Sequence, residues 1–126
     1  MAQILETRRL VLRHFVSEDS IALARVLSDP VAMKFYPAPH DRTGVEQWIE
    51  RNLQRYSRDG IGLWAMDLKA TGELIGDCGI TRQQIENEFF YEIGYHLRRD
   101  HWGNGYATEA AIACRDWGFA NLKTNR

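Results

Sequence analysis

The stretch YEIGYHLRRDHWGNGYATEAA, from Tyr91 to Ala111, decides how this chain is organised. Its first seven residues, YEIGYHL, predict a strand, and the alanine-rich run that begins near Tyr106 predicts a helix. Gly103 and Gly105 stand one residue apart at the corner between them. Because glycine permits both sharp turns and a close approach of the main chain to a ligand, the corner is either merely tight or a place where something binds.

The start of the predicted helix has the chemistry of an anion site. The first N–H groups of a helix have no intrahelical partner, and the helix start carries about half a positive charge. Donors placed after two glycines suit a phosphate or pyrophosphate, and Ala107 would keep the first turn clear of side chain. A glycine pair alone is weak evidence, since GxxxxGK[ST] is absent and Thr108 stands where the third glycine of GxGxxG would fall.

Length, charge and cysteine content exclude several classes of function. The 126 residues predict a single domain over 1–126, and a net charge of −1 without a basic stripe argues against nucleic-acid binding. No secretory signal or membrane-spanning run is evident, so we expect a cytoplasmic protein with no membrane contact. Cys78 and Cys114 have neither CxxC nor metal-ligand spacing, so we expect two buried thiols and no metal site.

The remaining elements predict the order β-α-α-β-β-β-α. LETRRLVLRHF predicts one strand, and the helix after SEDS would bury Ile21, Ala24, Leu27 and Val31. Thr43 and Glu46 form a capping-box pattern before a second helix that ends at Gly60.

Three strand segments follow without a helix between them, with a polar connection over residues 82–87, and the last helix runs from about Tyr106 to Asn121. Strands joined by short turns form antiparallel meanders, so we predict an α/β (α+β) fold: a largely antiparallel sheet flanked by helices.

This order, together with LETRRLVLRHF, GELIGDCGI and the closing motif, resembles the GNAT superfamily of acetyl-coenzyme A-dependent N-acetyltransferases. The branch it resembles includes the ribosomal-protein N-terminal acetyltransferases. The family loop Q/R-x-x-G-x-G/A aligns with Trp102–Ala107, where Trp102 replaces the first residue. The resemblance implies that this loop holds the coenzyme A pyrophosphate and that the preceding strand end pairs with the pantetheine arm. The implied cofactor residues are Leu97, Arg98, Trp102, Gly103, Asn104, Gly105, Tyr106, Ala107 and Thr108. Arg98 could equally be a plain surface cation.

An amine attacks a thioester only when it is unprotonated, so a proton acceptor is needed near the site. Glu92 lies in an otherwise apolar strand, where a carboxylate is costly unless it is used or paired, and the resemblance points to the same residue. The alternative is that Glu92 pairs with an arginine or points outward. Glu109 fits a structural acid at a helix start, and His96 and His101 are weaker candidates near the corner. With no Ser-His-Asp or Cys-His motif, direct attack in a ternary complex is favoured over an acetyl-enzyme.

The resemblance also implies an acceptor loop between the first two helices, where Phe35 and Tyr36 either line a pocket or belong to the core. It implies further strands and a helix after residue 126, so the predicted domain is C-terminally incomplete. The predicted partners are acetyl-coenzyme A and a primary amine, which is a protein N-terminus, a polyamine or another small amine. A non-catalytic coenzyme A-binding fragment is the alternative, and the open edge of the last strand favours a homodimer.

Overall fold

Five antiparallel strands lie side by side in chain order, so each strand pairs with its neighbours in sequence. The computed structural model describes residues 3–34, 36 and 38–122. The strands are β1 (Gln3–Glu6), β2 (Leu10–Arg13), β3 (Leu63–Leu68), β4 (Leu74–Ile85) and β5 (Glu88–Leu97). The helices are α1 (Ser20–Leu27), α2 (Arg42–Asp59) and α3 (Tyr106–Asn121), with short 3₁₀ turns at Ser17–Asp19 and Arg99–His101. The predicted class, an antiparallel sheet flanked by helices, is confirmed.

The first predicted strand is in fact a hairpin, so the order is β-β-α-α-β-β-β-α. Thr7 closes its turn twice, because its backbone N–H donates to Leu10 O over 2.9 Å and its hydroxyl accepts from Leu10 N over 3.0 Å. A side chain that bonds its own backbone three residues on favours a turn over a continuous strand. The alternation that predicted one strand therefore runs through two short ones.

The connection predicted over residues 82–87 is also shorter than expected. β4 continues to Ile85, and the chain reverses at Glu86 and Asn87, with Glu86 at a φ of 57°. The β4–β5 ladder therefore runs unbroken from the Ile85–Glu88 pair to the Gly76–Leu97 pair. The polar residues of this segment are paired through their main chain, which side-chain polarity does not reveal.

The two faces of the sheet carry separate cores. Trp64, Met66 and Leu68 pack toward α3, whereas the alternate residues Leu63 and Ala65 pack toward α1 and α2. This is the period-two alternation of a strand buried on both faces.

The stripe predicted for α1 is right at Leu27, which is buried, and at Ala24, which is partly buried, and wrong at Ile21 and Val31. Ile21 is 79% exposed and Val31 is 40% exposed, and the buried residues are Leu23, Val26 and Leu27. The pattern of small and apolar residues in this short helix allowed both stripes, and contact with α2 and the sheet selects one.

The two longer helices begin and end near the predicted residues. Asp41, and not the predicted Thr43, caps α2, because its carboxylate accepts from Gly44 N over 2.8 Å. Gly60 ends α2 at a φ of 76°, as a helix C-terminal glycine does. In α3 the small residues Ala110, Cys114 and Gly118 face the sheet. Small residues at this spacing let the helix approach the strands closely.

Cys78 and Cys114 are buried free thiols with their sulfurs 3.6 Å apart, as predicted. The hydrogen bond with the Cys114 thiol, together with burial, raises the pKa of Cys78 far above its usual value. Cys78 therefore lacks the low pKa of a reactive cysteine.

A buried ionic network ties β2 to the start of α1 and to β3. The Arg13 guanidinium binds both carboxylate oxygens of Asp19 at 2.9 Å and donates to Asp67 over 2.7 and 3.2 Å. It also donates to His14 O over 3.1 Å. Every nitrogen of this nearly buried guanidinium therefore has a partner.

Among the helices of residues 3–34, 36 and 38–122, none combines the length and the apolar character needed to cross a membrane.

Candidate active site at the glycine corner

The corner after β5 holds its shape through two glycines in the left-handed region. Gly103 has a φ of 83° and Gly105 a φ of 80°, and α3 begins at the next residue, Tyr106. No side chain in the described part of the chain caps the start of α3. The free N–H groups of the first turn therefore face outward with no Cβ in front of them.

A cavity of about 750 Å³ opens at this corner. Its volume lies within the range of small-molecule binding sites. The predicted cofactor residues that line it are Leu97, Trp102, Gly103, Gly105, Tyr106, Ala107 and Thr108. The remaining lining residues are Ala32, Tyr36, Tyr95 and His96. The structure thus brings most of the residues selected by the family motif into one cavity.

Arg98 and Asn104 are not among the lining residues of that cavity. The Arg98 guanidinium donates to Asp100 over 2.6 Å and lies 3.6 Å from Glu73, and the hydrogen bond with Asp100 raises its pKa. The Asn104 amide donates to His101 O over 3.2 Å. Both side chains therefore stabilise the corner through hydrogen bonds to neighbouring residues. Their contact with a cofactor stays a prediction.

The first turn of α3 is held by the hairpin turn at the other end of the chain. Glu109 accepts from the Thr7 hydroxyl, from Arg9 N over 3.1 Å and from Arg9 Nε over 2.7 Å. The same guanidinium lies 4.4 Å above the ring of Tyr106. Burial raises the pKa of Glu109, but the hydrogen bonds from Thr7 and Arg9 outweigh it and lower the net pKa. Glu109 is therefore an ionised structural acid, in agreement with its predicted role.

A second cavity, of about 370 Å³, lies on the α1/α2 face of the sheet. It is lined by polar groups of α2, β4 and β5, among them Arg51, Arg55, Thr81 and Glu92. Tyr36, Tyr95 and His96 line this cavity and the one at the glycine corner. The two cavities therefore meet at these three residues.

Glu92 points outward, which is one of the alternatives that its place in an apolar strand had left open. β5 is an edge strand, and Glu92 is exposed opposite Thr81. The apolar neighbours Tyr91 and Ile93 point to the opposite face, where they line a groove against α3. Alternation along the strand separates Glu92 from the side chains that would have buried it. Its catalytic role stays a prediction that rests on its place in the second cavity.

The buried carboxylate of this region is Asp77, which the sequence-based reasoning missed. Asp77 is fully buried, accepts from Trp48 Nε1 over 2.9 Å and lies 2.8 Å from His96 Nδ1. The signal was present in LIGDCGI, a charged residue inside an apolar strand, which is the pattern that had drawn attention to Glu92. Its partner His96 lies on β5, opposite Asp77 in the ladder.

Tyr36 completes this arrangement. Its hydroxyl lies 2.7 Å from His96 Nε2, and its ring belongs to an aromatic cluster with His40, Trp48 and His96. The predicted acceptor-side position of Tyr36 thus coincides with the junction of the two cavities, while Phe35 lies outside the described residues.

Comparison with known proteins places the chain in a family. The acetyltransferase (GNAT) domain family matches residues 9–126. The uncharacterized protein YkkB of Bacillus subtilis is 44% identical over 116 residues, which cover 91% of this chain and 67% of YkkB. The crystal structure of an acetyltransferase from Agrobacterium tumefaciens superposes with a TM-score of 0.80 at 34% identity, over 97% of this chain and 69% of that one.

The fold also extends to the branch that the sequence resembles. The ribosomal L7/L12 α-N-protein acetyltransferase RimL, solved in complex with coenzyme A, has a TM-score of 0.67 at 15% identity, over 90% of this chain and 66% of that one. Members of the GNAT fold family bind acetyl-coenzyme A or coenzyme A. The match over residues 9–126 and the identity to the Agrobacterium enzyme lead to one conclusion: the chain belongs to the GNAT family of acetyltransferases.

Proposed function

We propose that this protein transfers an acetyl group from acetyl-coenzyme A to a primary amine, by direct attack within a ternary complex. The observation that carries the proposal is the meeting of two cavities at Tyr36, Tyr95 and His96. One cavity opens at the glycine corner and the other is polar and lies against α2. A two-substrate reaction without a covalent intermediate needs such a junction, because the reacting atoms of both substrates have to meet there.

The glycine-corner cavity fits the phosphates and arm of coenzyme A. The uncapped N–H groups of 103–108 would hold the pyrophosphate, because they point away from the helix and meet no Cβ at Gly103 or Gly105. Leu97, at the end of the edge strand β5, would lie along the pantetheine arm, with Trp102 beside it. When bound, the coenzyme supplies an acetyl thioester that an amine can attack.

The second cavity fits an acceptor amine. Glu92 would attract the ammonium form and accept its first proton, since an exposed carboxylate exchanges protons freely with water. The acceptor is a protein N-terminal amine or a small amine, and either could enter because the cavity opens to solvent. A cytoplasmic location and dimerisation through the edge of β5 also stay predictions, and sedimentation equilibrium would test the dimer.

Calorimetric titration with acetyl-coenzyme A tests the cofactor half of the proposal. A valine at Gly105 would place a β-branched side chain where the phosphates approach, so Gly105→Val is expected to weaken binding tenfold or more, about 1.4 kcal/mol. Gly72→Val is the matched control, because Gly72 has a φ of 76° in a turn that lines neither cavity. Both variants carry the same backbone strain. Equal affinity for Gly105→Val and Gly72→Val would remove the corner from coenzyme binding.

Steady-state acetylation of a panel of amines tests the acceptor half. Glu92→Gln is expected to lower kcat at neutral pH by about 100-fold, in the range of a lost general base, with coenzyme binding unchanged. Glu88→Gln is the control, since Glu88 is exposed on the same strand at the far end from the junction. A fully active Glu92→Gln would exclude the residue. Coenzyme binding without turnover of any amine would favour the non-catalytic alternative.

A further inference from the structure

We infer that Asp77, His96 and Tyr36 form a proton relay at the junction of the two cavities, which carries a proton from the attacking nitrogen to the leaving sulfur. The inference rests on the proposed acetyl transfer. It assigns a catalytic role to Tyr36 and positioning roles to His96 and Asp77.

The relay starts from a carboxylate whose two oxygens have different partners. Asp77 Oδ2 accepts from Trp48 Nε1 over 2.9 Å, and Oδ1 lies 2.8 Å from His96 Nδ1. Because an ionised carboxylate only accepts hydrogen bonds, Nδ1 carries the hydrogen. In the neutral imidazole the free lone pair is therefore on Nε2.

The lone pair on Nε2 points to the only polar atom of Tyr36's side chain. The two atoms are 2.7 Å apart, so the Tyr36 hydroxyl donates to His96 and keeps its oxygen lone pairs for another group. The Tyr36 side chain is 40% exposed, whereas the ring of His96 is 13% exposed and Asp77 is fully buried. The chain of hydrogen bonds thus runs from the interior to the open junction.

The electrostatics suit proton transfer in both directions. Burial lowers the pKa of His96, but the hydrogen bond and charge of Asp77 outweigh it, so the net pKa is raised. Burial, with the charges of Asp77 and Glu92, raises the pKa of Tyr36, so its hydroxyl stays protonated at neutral pH and passes a proton on. Within the described residues, the titratable and charged groups beside His96 are Asp77 of β4, Tyr36 before α2, Arg51 and Arg55 of α2, and Glu92 and Tyr95 of β5. His40 packs against Tyr36 and Trp48.

Conversion of an ammonium to an amide releases two protons from the nitrogen, and one of them has to reach the leaving sulfur. The entering ammonium loses its first proton to Glu92 or to water, and its lone pair then forms the C–N bond at the acetyl carbon. As the C–S bond breaks, the second proton leaves nitrogen for Tyr36 Oη while the Tyr36 proton moves to His96 Nε2. His96 Nε2 then returns its proton to Tyr36 Oη, and Tyr36 passes a proton to the thiolate. His96 is neutral again, and the coenzyme leaves as a thiol.

The relay residues and Glu92 lie in different parts of the two cavities, so they suit different proton transfers. Tyr36 and His96 line both cavities, whereas Glu92 lines only the one against α2. Glu92 precedes His96 by four residues on β5, which is about 13 Å along a strand. Glu92 therefore suits the first proton, and the relay suits the second.

Nitrogen-15 NMR of the histidine-labelled chain tests the relay without any turnover. We expect neutral His96 to carry its hydrogen on Nδ1 and to titrate above an ordinary histidine. In Asp77→Asn the titration midpoint is expected to fall, because the group that raises the pKa has lost its charge. A hydrogen on Nε2, or an unchanged midpoint in Asp77→Asn, would overturn the relay. If Asp77→Asn does not fold, the tautomer in the unsubstituted chain decides.

Kinetics test whether the relay acts in the reaction. Tyr36→Phe is expected to lower kcat about 100-fold with little change in KM for acetyl-coenzyme A. Tyr91→Phe, which removes a phenol hydroxyl on the opposite face of β5, is the control and should keep full activity. In Asp77→Asn the acidic limb of the kcat profile is expected to move to lower pH, a shift that a merely structural role would not produce.

The two possible failures are distinguishable. Turnover by Tyr36→Phe equal to that of the unsubstituted chain, or an unmoved acidic limb in Asp77→Asn, would overturn the relay while the proposed acetyl transfer stands. If the unsubstituted chain acetylates no amine, the proposed function fails. The NMR titration still shows whether Asp77, His96 and Tyr36 are coupled as inferred.

Discussion

Two buried charge networks in this protein have opposite designs. Around Arg13, every guanidinium nitrogen binds a carboxylate or a carbonyl, and the hydrogen bond with Asp19 raises the pKa of Arg13 although burial opposes it. Around Asp77, the hydrogen bonds continue through His96 to the Tyr36 hydroxyl, which is open to two cavities. A saturated network has no capacity for another proton or ligand, whereas a network with an open end does. The first therefore stabilises the fold and the second is available for chemistry.

The largest expected effect would break the Arg13 network. Arg13→Met leaves the carboxylates of Asp19 and Asp67 without their cation, so we expect the free energy of unfolding to fall by about 3–5 kcal/mol. Urea denaturation followed by circular dichroism would measure the loss. Arg25→Met is the control, because Arg25 is an exposed arginine whose ion pair with Glu73 is long, at 3.9 Å. A similar loss of unfolding free energy in both variants would show that the buried Arg13 network stabilises the fold no more than an exposed ion pair does.

The next largest effect concerns the buried end of the relay. Trp48→Phe keeps an aromatic ring but removes the Nε1 donor to the fully buried Asp77, and we expect a loss of about 1–3 kcal/mol. Trp117→Phe is the matched control, since it removes the same atoms from an indole whose N–H bonds to no side chain or carbonyl within residues 3–34, 36 and 38–122. Denaturation curves of the two variants that coincide would contradict the importance of this hydrogen bond.

Glu109 provides an intermediate case between the two networks. Its carboxylate binds Thr7 and Arg9, as the Arg13 network binds its partners, but it is only partly buried. Its folded pKa is lowered, so its contribution to stability is present above the usual glutamate pKa and is lost as pH falls through the folded value. Glu109→Gln is expected to cost about 1–2 kcal/mol at pH 7 and much less at an acidic pH below the lowered folded pKa. Thermal unfolding across that pH range would measure the difference, with Glu88→Gln as the control. A penalty that is the same at both pH values would argue against an ionised structural role.

The smallest effect on stability is expected at the open end of the relay. Tyr36→Phe removes a hydroxyl from a side chain that is 40% exposed, so we expect a change within about 0.5 kcal/mol. The same variant carries the large kinetic effect expected of the relay. Urea denaturation of Tyr36→Phe would therefore separate the two networks. A loss comparable to that of Arg13→Met would show that the Asp77 network is structural as well.

Local signals in the sequence were sufficient for much of the fold. Period-two and period-3.6 patterns predicted the last three strands and α2, and the glycine corner placed the start of α3 at Tyr106. The hairpin at the N-terminus was missed, because the Thr7 side chain that closes its turn resembles an ordinary polar residue of a strand. The inner stripe of α1 was predicted only in part, because only the neighbouring elements decide which of two apolar faces is buried.

The candidate site also has one part that local sequence indicates and another part that only the tertiary structure shows. The cofactor loop is contiguous in the chain and needs glycine for its positive φ, so the motif itself indicates it. The sequence by itself therefore determined the family, the order of most elements and the glycine corner, because these depend on residues close together in the chain. Only the tertiary structure decided that Glu92 is exposed, that Asp77 is buried and that Tyr36 and His96 meet although 60 positions separate them. Burial and hydrogen bonding depend on neighbours that the antiparallel ladder brings together from distant segments, and local patterns carry no record of them.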